Sequence, residues 1–261
     1  MRRFHLSLLP GLLLGLVSAP AFATGGFYEI NDACKAIGCF PGDNPATPTI
    51  EITNETVNSG IASFRLSGSL TNTVGNTASI LVETNQEVSI DLQGHQILCT
   101  LETPCQSGNS AGVQINGFGK VRIHNGSISN FRDGIRADNN SFLIAEHLTI
   151  SGATDDGIQM GRGVVRNSQF VNTRYGIFAT TRSILIEGNS FHDTRPTPTQ
   201  QPLIGAQIAN SGCSGNVIAA GNSILNLSNC IELGPNLCGS QRCGFGGLQA
   251  FDPSVSGSND K

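Results

Sequence analysis

From residue 112 onward a glycine followed by alternating apolar and polar positions recurs along the chain. The units are Gly112-Val113-Gln114-Ile115, Gly134-Ile135-Arg136-Ala137, Gly157-Ile158-Gln159-Met160 and Gly176-Ile177-Phe178-Ala179. Gly205-Ala206-Gln207-Ile208 and Cys230-Ile231-Glu232-Leu233 continue the series. A period of two marks a short strand with one buried face. A second apolar run follows most units: Val121-Arg122-Ile123, Phe142-Leu143-Ile144, Val164-Val165-Arg166, Ile184-Leu185-Ile186 and Val217-Ile218. A polar turn and a third run come next, as in Asn125-Gly126-Ser127-Ile128, Asn167-Ser168-Gln169-Phe170, Asn189-Ser190-Phe191 and Asn222-Ser223-Ile224.

Three strands and three turns fill a repeat of about 22 residues and leave no room for crossover helices. The pattern therefore predicts an all-β chain, a single-stranded right-handed parallel β-helix of about six to eight coils. Coils stack at the strand spacing of ~4.8 Å, and alternate residues share one core. The turn asparagines tolerate left-handed backbone and can hydrogen-bond the asparagines above and below. An antiparallel sandwich is the competing architecture, but hairpins do not require the same three-part unit again and again. Ile80-Leu81-Val82, Val88 to Leu92 and Gln96-Ile97-Leu98 read as an earlier coil, and Phe64-Arg65-Leu66 as a first-coil strand. Residues 99–111 interrupt the rhythm as a loop. Glu29 to Ile37 reads as one or two helical turns, N-capped by Asn31 or Asp32, covering an end that would otherwise expose core and strand edges.

The N-terminus carries a different pattern. Arg2 and Arg3 precede an apolar stretch from Leu6 to Val17, and Ala21-Phe22-Ala23 offers small residues at a cleavage site. This reads as an export signal, too short to span a bilayer. The expected organisation is a signal peptide over 1–23, a cap and first-coil lead-in over 24–63, the β-helix over 64–248 and a flexible tail over 249–261. After cleavage no transmembrane helix remains, and the location is periplasmic or extracellular.

Composition sharpens this picture. Of 261 residues, 32 are Gly, which the repeat explains as punctuation, and only 13% are charged. A net charge of −4 excludes a basic face for nucleic acid. Export makes disulfides the default for the 8 cysteines. Cys34/Cys39 and Cys99/Cys105 are local clasps. Cys213 and Cys238 each follow a repeat start by eight residues and would stack, leaving Cys230 with Cys243. Pairing of nearest neighbours, Cys213 with Cys230 and Cys238 with Cys243, is the alternative. No spacing suggests zinc.

Alternation places Gln114, Arg136, Gln159, Phe178, Gln207 and Glu232 on the outer surface of the first strand. The preceding turn adds Arg132, Asp133, Asp155, Asp156, Arg174 and Tyr175, and the following turn Asp138 and Arg162. Carboxylates here can hold a cation or move protons, and arginines can grip a carboxylate in bidentate fashion. Asp before Gly is also ordinary turn chemistry, which competes for Asp133 and Asp156. His124 and His147 lie away from this face with no evident nucleophile. Phe118, Phe131, Phe170 and Phe191 read as packing residues.

With these residues in view, Phe64 to Leu248 looks like a secreted β-helix of the pectate-lyase-like superfold. More narrowly, Ile30-Asn31-Asp32-Ala33-Cys34 through Cys39-Phe40-Pro41-Gly42-Asp43, then Ser63-Phe64-Arg65-Leu66 and Val88-Ser89-Ile90-Asp91-Leu92-Gln93-Gly94, resembles exported bacterial β-helix-repeat proteins of uncharacterised function. The superfold includes pectate lyases, polygalacturonases, alginate lyases, epimerases and non-catalytic proteins, and its groove runs along the first sheet. The resemblance implies a monomer that interacts with a polysaccharide or cell-envelope glycan. A lyase or hydrolase of acidic polysaccharide is the alternative, with Asp155, Asp156, Asp133 and Arg136 catalytic and Ca²⁺ as the cofactor to consider. Arg132, Gln159, Arg174, Tyr175, Phe178 and Gln114 would then bind substrate. A ligand-free structural envelope protein is the third reading. Asp155-Asp156-Gly157 resembles the paired aspartates of polygalacturonases, but their Asn-Thr-Asp, Gly-His-Gly and Arg-Ile-Lys motifs are absent, as is the Asp-Pro-His-Asp of mannuronan epimerases.

Overall fold

A computed structural model describes residues 26–101, 105, 108–179, 184–192, 204–206, 211–218, 230–238 and 241–242. The signal over 1–23, the tail over 249–261, Gln207, Asn222-Ser223-Ile224 and Cys243 lie outside them.

The first face is a parallel sheet of seven strands. In spatial order they are Ile50–Thr53, Ala78–Glu83, Ala111–Asn116, Asp133–Ala137, Asp156–Met160, Tyr175–Ala179 and Ile204–Ala206. Register aligns Ile50, Ile80, Val113, Ile135, Ile158, Ile177 and Ile204 in one row. From Ile50 to Ile177 these side chains are fully buried. β-Branched residues suit this position because their stiff χ1 packs well on a pleated surface.

The second and third faces form one sixteen-stranded hydrogen-bonded sheet. They merge because Lys120–Ser129 and Phe142–Ser151 run through the corner between the faces without a break. A single left-handed residue turns that corner in successive coils: Asn125, His147, Asn167, Gly188 and Gly215, with φ between 50° and 63°. The asparagine ladder sits one position further on. Asn189 Nδ2 donates to Asn216 Oδ1 at 3.1 Å, and Asn216 Nδ2 to Asn236 Oδ1 at 2.8 Å. All three are buried, and Asn189 Oδ1 accepts the Ser168 N–H. The turn asparagines of the sequence thus divide into corner residues and an internal ladder.

The repeat glycines open the first face for want of space. A Cβ on Gly134 would lie 2.6 Å from Ile150 Cγ2 and 2.5 Å from the Gly157 carbonyl; one on Gly157 would lie 2.8 Å from Phe170 Cδ1. Third-strand core residues fill the corner that a side chain would need. Phe170 and Phe191 stack there, with centroids 4.9 Å apart.

Late in the chain the register departs from expectation. Ile204, not Ala206, stands level with Ile177, so Gly205 stands level with Phe178, not with Gly176. Cys230–Glu232 pairs with Ser211–Ser214 on the second face, which removes Glu232 from the first. Cys213 is level with Glu232, and Cys238 with Ile218, so the two cysteines do not stack. Cys213 is disulfide-bonded; its partner lies outside the described side chains. A three-residue alternation looks alike on every face, and this is why Cys230-Ile231-Glu232 imitated a first strand.

The N-terminal end is tied into the helix. Tyr28–Ile30 pairs with Ser63–Leu66. A helix at Cys34–Ile37 follows Asn31, whose Oδ1 accepts the Ala33 N–H at 3.0 Å. A second, unforeseen helix at Asn54–Asn58 starts from a Thr53–Thr56 capping box. Cys34–Cys39 and Cys99–Cys105 are bonded, with Cα separations of 5.0 and 6.2 Å. Among the described residues no helix is long and apolar enough to cross a membrane.

Candidate functional site

Strand stacking brings the turn before the first face into rows. Arg132, Asp155 and Arg174 are neighbours on successive coils, as are Asp133, Asp156 and Tyr175. On the strands themselves Gln114, Arg136, Gln159 and Phe178 form the outward row, each half-buried. The acids and arginines singled out in the sequence therefore converge.

Asp155 is clamped by two arginines. Arg132 Nη2 reaches its Oδ2 at 2.6 Å and Arg174 Nη1 its Oδ1 at 3.1 Å. The Asp155 hydrogen bond holds Arg132 above the usual guanidinium range. Arg136 Nη1 lies 3.4 Å from Asp133 Oδ2, while its Nη2 donates to Gln114 Oε1 at 2.8 Å and to the Asn109 carbonyl at 2.9 Å. Arg132 Nη1 donates to the Gly108 carbonyl at 2.6 Å. Gly108 and Asn109 follow the Cys99–Cys105 clasp, so the loop that interrupts the repeat positions two arginines. Sequence reasoning missed both residues: a backbone carbonyl acceptor carries no residue-type signal.

Asp133, Asp155 and Asp156 each offer an oxygen, all within 4.8 Å of one another. Their surroundings differ. Asp133 is 2% exposed; burial raises its pKa, against which Arg132, the Asp156 N–H and Arg136 act. Asp156 is 5% exposed, and its carboxyl accepts no hydrogen bond among the described residues. Burial, with Asp133 and Asp155 adding to it, pushes Asp156 up to about 7. A carboxyl pushed up in this way can act as a proton donor near neutrality. The same three oxygens could also hold a metal ion such as Ca²⁺. That ion takes six to eight oxygen ligands, so the three carboxyl oxygens gathered here would supply only part of its shell.

Downstream along the same face, Asn116, Arg136, Asp138, Asn139 and Gln159 line a 280 Å³ pocket. Asp138 is occupied by the Gly117, Asn140 and Ser141 N–H groups and the Ser141 hydroxyl. Arg162 donates to the Asn140 carbonyl. Beside the acids, the Tyr175 and Phe178 rings lie 6.0 Å apart at 44°.

On the second face Ser89 Oγ does come within 3.4 Å of His124 Nε2, with Asp91 3.6 Å from Nδ1. The Asn125 amide nitrogen sits 2.7 Å from Nδ1. Nδ1 is then the acceptor and Nε2 carries the proton, so His124 has no lone pair for Ser89. Phe131, Phe170 and Phe191 are buried as expected, whereas Phe118 is 68% exposed and packs in no core.

A family described as right handed beta helix region matches residues 72–231. No curated protein and no solved structure matches the chain.

Proposed function

The chain belongs to the right-handed beta helix family, and on that premise we propose that its first face binds a polysaccharide and hydrolyses it at the carboxyl cluster. The observation that carries this reading is the Asp156 carboxyl: buried beside two other acids, accepting no hydrogen bond among the described residues, and pushed up to about 7 by burial and its acidic neighbours. In the proposed reaction Asp156 gives its proton to the glycosidic oxygen as the bond to the anomeric carbon breaks. Asp155, the more exposed acid, bonds the anomeric carbon as nucleophile, and water then displaces it while giving a proton back to Asp156, the retaining scheme favoured by carboxyl oxygens within 4.8 Å of one another. Arg132 and Arg174 hold Asp155 in place, and Arg136 does the same for Asp133. The two disulfides support the further reading that the protein is exported.

Release of reducing ends from a panel of polysaccharides tests the proposal. Asp156→Asn is expected to remove at least about 10²-fold of the rate on polymers, and far less on aryl glycosides whose leaving group needs no proton. No product from any polymer, or an unaffected Asp156→Asn, rejects it.

A further inference from the structure

Each arginine of the first-face site is already matched by the site's own acids. Arg132 and Arg174 share Asp155, and Arg136 faces Asp133. The other donors of Arg132 and Arg136 go to Gly108, Asn109 and Gln114. A uronate carboxylate entering here would have to compete with Asp155 and Asp133 for guanidinium donors that are already engaged, which costs affinity.

The neighbouring rung offers another chemistry. Tyr175 stands level with Asp156, and Phe178 with Gln159. Both rings are half-buried on the outer surface, and the Arg174 guanidinium carbon lies 5.1 Å from the Tyr175 centroid. The Phe178 neighbour on the following strand is Gly205, which has no side chain. An aromatic pair of this kind provides a flat apolar surface for the C–H face of a pyranose. The Gln159 amide on the adjacent rung offers a donor and an acceptor for hydroxyls.

We propose that the polymer recognised at this site is an uncharged polysaccharide, one sugar of which stacks on the Tyr175–Phe178 pair with its glycosidic bond beside Asp156. This deepens the hydrolytic reading and rests on it. The acidic polymer, the alternative in the sequence reading, is disfavoured in this proposal because the arginine donors are already engaged by Asp155, Asp133 and neighbouring carbonyls.

Calorimetric affinities of the intact protein for xylan, β-glucan and galactomannan, against polygalacturonate and alginate, provide the test. Tyr175→Ala, Phe178→Ala and Phe178→Leu are measured alongside, the last keeping apolar bulk without a ring. A neutral polymer is expected to bind, and each Phe178 variant to lose about tenfold in affinity with an unchanged circular-dichroism spectrum. Uronate polymers binding better than every neutral one, or full neutral affinity in both Phe178 variants, overturns the substrate class and leaves hydrolysis standing. No binding and no cleavage of either polymer class overturns both.

Discussion

The backbone N–H of Asp156 donates to Asp133 Oδ1 at 3.3 Å across adjacent coils, so two buried carboxyls at the same turn position have unequal surroundings. Asp133 receives that N–H and faces Arg136, whereas the Asp156 carboxyl accepts no hydrogen bond among the described residues.

A stability prediction follows from the sign of the Asp156 shift. Its folded pKa of about 7 lies above the ordinary 3.8, so the folded chain binds this proton more tightly than the unfolded chain. Stability is then highest below the ordinary pKa and declines as pH rises toward 7. Above 7 the buried charge is carried in full. Asp156→Asn mimics the protonated form, so its melting temperature is expected to exceed wild type at pH 8 and to match it near pH 4. The difference at pH 8 has an upper bound of about 4 kcal/mol. Scanning calorimetry at the two pH values checks this. A variant more stable yet inactive would mark Asp156 as functional.

Asp155→Ala should change what the groove attracts. It releases Arg132 and Arg174, both more than a third exposed at the side chain, from their shared partner. Polygalacturonate, weakly bound by the wild type, is expected to gain about tenfold in affinity at low salt and to lose it at high ionic strength. Titration calorimetry at two salt concentrations reads this directly.

How far the sequence disclosed the molecule depends on which symmetry a residue obeys. Ile135, Ile158 and Ile177 announced the buried row, and Gln114, Arg136, Gln159 and Phe178 the outward one, because a period of two fixes face within a strand. The period does not say which of three faces a strand occupies, and Cys230 was misplaced for that reason. The convergence of Asp133, Asp155 and Asp156 was readable from their shared turn. That Asp156 alone lacks a partner was not, since Asp133-Gly134 and Asp156-Gly157 look identical in one dimension. The carbonyls of Gly108 and Asn109 were equally hidden.

Gly134→Ala should be severe although alanine is the smallest change available. Its Cβ would meet the Gly157 carbonyl and Ile150, and backbone cannot yield as a flexible side chain does. A loss of about 2 kcal/mol or more is expected. Gly68→Ala, with nothing within 4 Å of the new atom, serves as the control and should be close to neutral. Urea denaturation compares the two.

Asn216→Ala should cost more than its size suggests. Asn216 links Asn189 and Asn236 and also donates to the Ile186 carbonyl at 3.0 Å, all within the core. Truncation strands several buried polar groups and is expected to lose about 2–4 kcal/mol. Asn167→Gly, at a corner with φ 50°, replaces one residue suited to left-handed backbone with another and should stay within about 0.5 kcal/mol. Thermal melts of both variants distinguish ladder from corner.

The rows through Arg132, Asp155 and Arg174 and through Gln114, Arg136, Gln159 and Phe178 draw one residue from each successive coil. Each layer touches only the layers beside it, so the fold does not depend on which layers are present. Chemistry in such a molecule is inherited by layer: losing the coil that carries Asp133 and Arg136 would bring Gln114 against Gln159 and dismantle the acid cluster while the column closed up. A new specificity could enter the same way, through a duplicated layer whose outward residues drift while its inward ones stay fixed.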